Sequence, residues 1–149
     1  MALDTLYETD FHLWIQHTIQ QLQKGEFQSL DINNLIEELG SMGRSDKREI
    51  KTRFIVLIMY LLKWKYQPKK RSRSWTATIN EQRRQIEAVL EDSPSLTPYF
   101  QDNLNDWYPI ARRDAAKETK LSIQVFPLNC PFSWEQILDP DYFPDTLDG

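Results

Sequence analysis

Phe11, Trp14, Ile15, Thr18, Ile19 and Leu22 recur at the three-and-four spacing of one helical face, and Gly25 follows where a C-terminal cap belongs. The spacing predicts a helix over residues 10–24. A second stripe opens after Leu30-Asp31, with Asp31 placed to cap it and Ile32, Leu35, Ile36, Leu39 and Met42 expected to face inward. Asn34, Glu37 and Glu38 fall largely on the other side. Gly40 and Gly43 mark either a break or a weak turn. Beyond them Ile50, Phe54, Leu57, Ile58, Leu61 and Trp64 predict a long central helix over 44–66.

Gln67-Pro68-Lys69-Lys70-Arg71 cannot continue that helix, because proline lacks a donor and disfavours helical geometry in the residue before it. It reads as a basic connecting loop. Trp75, Ile79, Gln82, Ile86, Val89 and Leu90 give the next stripe, which ends at Ser93-Pro94. Leu96, Phe100, Leu104, Trp107, Ala111 and Ala115 give another, with Ser95 as its cap and Pro109 expected to kink it. Prolines at 127, 131, 140 and 144 leave room only for a short helix opened by Ser133 and Gln136 in capping-box spacing. No repeat and no run of strands appears. The expected fold is all-α: one domain over residues 1–149, a bundle of about four to five helices with its core at about 7–120 and a Pro-rich, irregular C-terminal arm at about 121–149, wrapping over the bundle.

Composition narrows the function classes. The longest unbroken apolar run, residues 54–62, is nine long, whereas a bilayer-spanning helix needs about 20. No membrane partner is expected. The first ten residues are acidic where a secretory signal is basic and then apolar. Cys130 is the only cysteine, which forbids an intrachain disulfide and a thiolate metal cage and suits a reducing cytoplasm. It reads as a small buried apolar residue. His12 and His17 lie five residues apart, so a helix places them about 140° apart, too far for one metal. The four glycines are too scattered for a phosphate-cradling loop. No cofactor is expected.

Charge adds the most. The formal net charge is −4, yet residues 44–84 hold 13 Lys or Arg against three acids, a net +10, and the remainder holds 5 against 19, a net −14. The densest part, residues 63–73, interleaves six cations with Trp64 and Tyr66. Lys63, Trp64, Lys65, Lys69, Lys70, Arg71 and Arg73 thus form a candidate site for an anionic partner, with cations on phosphates and an aromatic stacking on bases. The alternative is that this segment faces the acidic remainder of the same molecule. A pI of 5.2 is low for a nucleic-acid-binding domain, which leaves an acidic protein as a further partner. Trp64 and Trp75 also lie on apolar stripes, where tryptophan is ordinarily core mass.

The segment Tyr60-Leu-Leu-Lys-Trp-Lys-Tyr-Gln-Pro, then Arg71-Ser-Arg-Ser-Trp75, Ile79 and Gln82-Arg83, is similar to the bacterial family catalogued as domain of unknown function 29. Tyr7 with Asp10 and Trp14, Leu30-Asp31 with residues 34–38, residues 93–96, Ala111-Arg112, and Phe126-Pro127 with Cys130-Pro131 extend the likeness to about 7–144. The resemblance implies an all-α cytoplasmic bacterial protein with no assigned reaction. The family is expected to carry histidine where this chain has Tyr60. Tyrosine, with an ordinary pKa of about 10, replaces a catalytic or metal-binding histidine poorly, whereas a structural role survives the change.

Two further sites are candidates. Tyr60, Lys63, Gln82 and Arg83 converge on a polar pocket if the two central helices are antiparallel neighbours, with Glu38 supplying a carboxylate. Asp10, Asp31, Glu37 and Glu38 are candidate Mg²⁺ ligands for a metal-assisted phosphodiesterase or nuclease, although the adjacent Glu37 and Glu38 sit about 100° apart on a helix. No Ser-His-Asp or Cys-His set is assembled. The leading expectation is therefore a non-catalytic binding module using residues 63–73. The alternatives are the phosphodiesterase and a protein–protein adaptor that uses an apolar groove or the Pro-rich tail. No oligomeric state is legible.

Overall fold

The computed structural model describes residues 3–145, with side chains from residue 6 onward. Among these the chain is all-helical and contains no strand. The helices are α1 (Leu3–Thr9), α2 (Phe11–Lys24), α3 (Ile32–Tyr66), α4 (Arg73–Asp92), α5 (Leu96–Thr119) and α6 (Trp134–Leu138). Single 3-10 turns occur at Phe27–Ser29, Pro68–Lys70 and Ile123–Val125. The chain divides into two compact units, Met1–Ser45 and Asp46–Gly149.

In the first unit the termini of α2 follow from side-chain chemistry. The Asp10 carboxylate accepts from the Leu13 N–H at 3.1 Å, and Gly25, at φ 73°, takes the left-handed cap and donates to Gln21 and Leu22. Asp31 caps α3 by accepting from the Asn34 amide and side chain, at 3.4 and 2.7 Å. The helix α1, which apolar spacing does not announce, precedes α2. Tyr7, Phe11 and Trp14 form a ring cluster with centroids 4.9–5.7 Å apart. Leu6, Trp14 and Thr18 are buried, whereas Ile32, Ile36, Leu39 and Met42, expected inward, are 49–64% exposed. Their stripe is real, but nothing among the described residues of this unit covers it.

Gly40 and Gly43 break nothing, and α3 runs unbroken through both. A glycine costs an exposed helix about 1 kcal/mol relative to alanine, too little to end a helix of this length.

In the second unit Ile50, Phe54, Leu57, Ile58, Leu61 and Leu62 of α3 are fully buried with Ile79 and Ile86 of α4 and Phe100, Ala111 and Ala115 of α5. Ser72 caps α4 by accepting from the Trp75 N–H at 3.2 Å. Ser95 begins α5 without a side-chain cap bond, and the helix continues through Pro109 to Lys120, which closes it at φ 60°. The arm lies on this bundle as expected. Phe126, Phe132 and Ile137 join the core, Tyr108 donates its hydroxyl to the Pro127 carbonyl at 2.7 Å, and Arg112 Nε donates to the Phe126 carbonyl at 3.1 Å. Ser133 and Gln136 form the capping box that opens α6. Cys130 is partly buried against the core, and burial pushes its thiol up from the ordinary range.

Candidate anionic-partner interface

The basic segment divides into cations that face inward and cations that face out. Lys63 and Lys65, at the end of α3, are 6% and 5% exposed. Lys63 Nζ stands 4.3 Å from the Tyr60 ring centre, 4.7 Å from that of Trp75 and 3.7 Å from the Glu118 carboxylate. Two aromatic faces and one carboxylate replace the water that this ammonium has lost. Lys65 Nζ lies 5.9 Å from the Tyr66 ring centre. Arg71 folds back, its Nε donating to the Trp64 carbonyl at 2.8 Å and its Nη2 to the Pro144 carbonyl at 3.3 Å, with the guanidinium over the Trp64 ring. Trp64 also packs against Phe143 at 4.9 Å. Four of the seven residues singled out by sequence are thus engaged within the fold.

Lys69, Lys70 and Arg73 are exposed. Pro68 opens the 3-10 turn that carries the two lysines, and Lys70 N–H closes it on the Gln67 carbonyl at 3.0 Å. The turn places both lysines side by side, and α4 begins at Arg73 soon afterwards. No acid among the described residues lies within ion-pair distance of these three cations. Beside them Tyr66, Gln67, Pro68, Lys69, Lys70 and Leu121 line an open cleft of about 310 Å³. Tyr66 is the aromatic next to the outward lysines, its ring edge-on to Phe126 at 5.4 Å, and burial raises its phenol pKa. The position of Leu121, just past the C-terminal cap of α5, has no signal in the sequence.

The polar-pocket residues have separate partners. Tyr60 and Lys63 come together with Trp75. The Gln82 carbonyl oxygen accepts from Arg53 Nη1 at 3.3 Å. Arg83, 3% exposed, donates through Nε to the Ile137 carbonyl at 2.9 Å and through Nη2 to the Gln136 carbonyl at 3.0 Å. Its guanidinium lies 5.5 Å from the Phe143 ring centre. Glu38 belongs to the first unit, where Tyr7 donates its hydroxyl to it.

The acids proposed as metal ligands are likewise individually occupied. Asp10 and Asp31 cap helices, Asp31 also accepts from Trp14 Nε1 at 3.3 Å, Glu37 pairs with Arg44 at 3.1 Å, and Glu38 holds Tyr7. Among the described residues no three His, Cys, Asp or Glu side chains group as a metal-ligand set. The bond to Glu38, with burial and the nearby carboxylates adding to it, pushes the Tyr7 phenol up to about 12. A tyrosine whose folded pKa is raised supports the fold below its unfolded value of about 10 and loses that support as pH rises through the folded one. An ultraviolet titration of wild type minus Tyr7→Phe should therefore show one phenol with a midpoint at about 12. A midpoint at about 10 would show that the bond to Glu38 does not form.

Among the described residues no helix is long and apolar enough to cross a membrane. Neither a curated protein nor a solved structure matches the chain. A family model matches residues 6–143, from α1 through the arm, and by that match the chain belongs to the family described as Domain of unknown function DUF29.

Proposed function

We propose that this protein is a non-catalytic binding module that engages an anionic partner at the corner formed by Lys69, Lys70 and Arg73. The observation that carries this reading is that these three cations are exposed without an acid within ion-pair distance among the described residues, whereas Lys63, Lys65, Trp64 and Arg71 are built into the fold. The 3-10 turn presents the charges without the entropy of a long loop, and the cleft at Tyr66 offers an apolar surface beside them. Nucleic acid is the partner class for which a cationic corner flanked by an aromatic is best suited, and an acidic protein surface is the second. A bacterial cytoplasmic location is part of this proposal, supported by the free Cys130, which suits a reducing compartment.

Fluorescence anisotropy with short single- and double-stranded DNA and RNA, and with polyglutamate, tests this. Three phosphate contacts give a log–log salt slope of about −2.7 on duplex, so affinity should fall about 40-fold between 50 and 200 mM salt. The Lys69→Ala, Lys70→Ala, Arg73→Ala triple variant should lose that slope while keeping its helical circular dichroism. Absence of binding at low salt, or binding indifferent to salt and to the triple variant, would refute the reading. Binding of polyglutamate alone would select the acidic protein.

A further inference from the structure

In the first unit α2 and the start of α3 flank an open groove of about 440 Å³, lined by Phe11, Trp14, Ile19, Leu22, Leu39 and Met42. Of these, Phe11, Ile19, Leu22, Leu39 and Met42 are 44%, 48%, 44%, 60% and 64% exposed. They present on the order of 500 Å² of apolar surface, and Ile32 and Ile36 on the same arc of α3 raise this to about 700 Å², near the share of about 800 Å² that one partner contributes to a standard-size interface. Monomers rarely leave so large a contiguous apolar patch in water. The unit that carries it is also short of a core. Within Met1–Ser45 only Leu6, Trp14 and Thr18 are buried among the described side chains, and a unit of this size ordinarily needs association or a cross-link to be stable.

We propose that this groove is a homodimer interface, each copy laying the apolar faces of α2 and α3 into the groove of the other in an isologous contact. The charge pattern favours a second copy over a foreign helix. Between Phe11 and Lys24 there is no acid and one formal cation, Lys24, with His12, His17, Thr18 and four glutamines on the remaining polar positions. Two copies of α2 therefore meet without like-charge repulsion. Glu38, the one charged lining residue, is held by Tyr7, so nothing in the groove selects a partner by charge. What it selects is an apolar helical face of matching extent, and the chain carries that face itself.

Sedimentation velocity on the full chain from low to high micromolar concentration tests the proposal. The mass should approach twice 17.8 kDa, and Leu39→Glu on α3 and Ile19→Glu on α2 should each raise the dimer Kd about 100-fold or more. A wild type that stays at 17.8 kDa over the whole range overturns it, and so does a dimer whose Kd neither substitution moves. An added basic amphipathic peptide bound by a chain that never dimerises also overturns it and assigns the groove to a foreign helix. If a variant loses its helical signal, hydrogen exchange of the wild type decides. Amides of α2 and of residues 32–42 that slow with rising concentration support the interface, and slowing elsewhere alone refutes it.

Discussion

Replacing Phe54 by alanine should cost about 3–5 kcal/mol of stability and lower Tm by about 10 °C or more. Phe54 is fully buried, edge-on to Phe100 at 5.5 Å and tilted against Trp107 at 5.8 Å. Phe100 in turn stands edge-on to Trp107 at 5.9 Å and to Trp134 at 4.8 Å. These rings belong to α3, α5 and α6, so truncating the first leaves a cavity that three elements would have to shift together to close. Aromatic pairs in this geometry add about 0.5–1.5 kcal/mol beyond the area they bury. Phe54→Leu, which refills most of the volume, should lose much less. Urea unfolding followed by tryptophan fluorescence reads both, and a loss below about 1 kcal/mol for the alanine variant would show that the helices collapse freely onto the gap.

Arg83→Ala is the second large effect, expected at about 2–4 kcal/mol, because it removes two charge-assisted bonds and leaves one buried and one half-buried carbonyl unpaired. Those carbonyls, of Gln136 and Ile137, are at the end of α6, where a helix has no internal donors left. Burial lowers the Arg83 pKa, opposed by Asp139 and Tyr142, and its Nη1 has no partner among the described residues. A buried cation with one idle donor is an expensive tie. Arg83→Met, which keeps the packing on Phe143 and sheds the charge, should therefore cost about half as much as alanine or less. Limited proteolysis should cut the arm faster in the alanine variant. If Arg83 instead served a ligand, both variants would keep wild-type stability and protease resistance.

The fold class and most helix boundaries were legible because capping and periodicity agree there. Gly25 at the end of α2, Asp31 at the start of α3, and Ser133 with Gln136 at the start of α6 act where their spacing places them. The stripe of Ile32, Ile36, Leu39 and Met42 was legible as a stripe and misread as interior, since periodicity reports that one face is apolar and not what covers it. The division of the basic segment was hidden for a related reason. Lys63 and Lys65 lie two residues apart on the helix that delivers Leu61 and Leu62 to the core, and composition counts them with Lys69 and Lys70. The Lys63 ammonium rests against Trp75 and Glu118, which come from distant points of the chain. The arm showed its prolines but not the arginines that fasten it, because Arg83, Arg112 and Arg71 reach carbonyls 54, 14 and 73 residues away.

That fastening has a bearing on biosynthesis. Phe126, Phe132 and Ile137 complete the core of the second unit, yet they are among its last residues to be made. A nascent chain that has extended only to Thr119 holds α3, α4 and α5 with the seat of Phe126 on Tyr66 still open. Folding of this unit is thus deferred until the arm has been synthesised, at about 5–20 residues per second. Messages truncated within the arm would yield products with an uncovered apolar seam, recognisable to chaperones and proteases as unfinished.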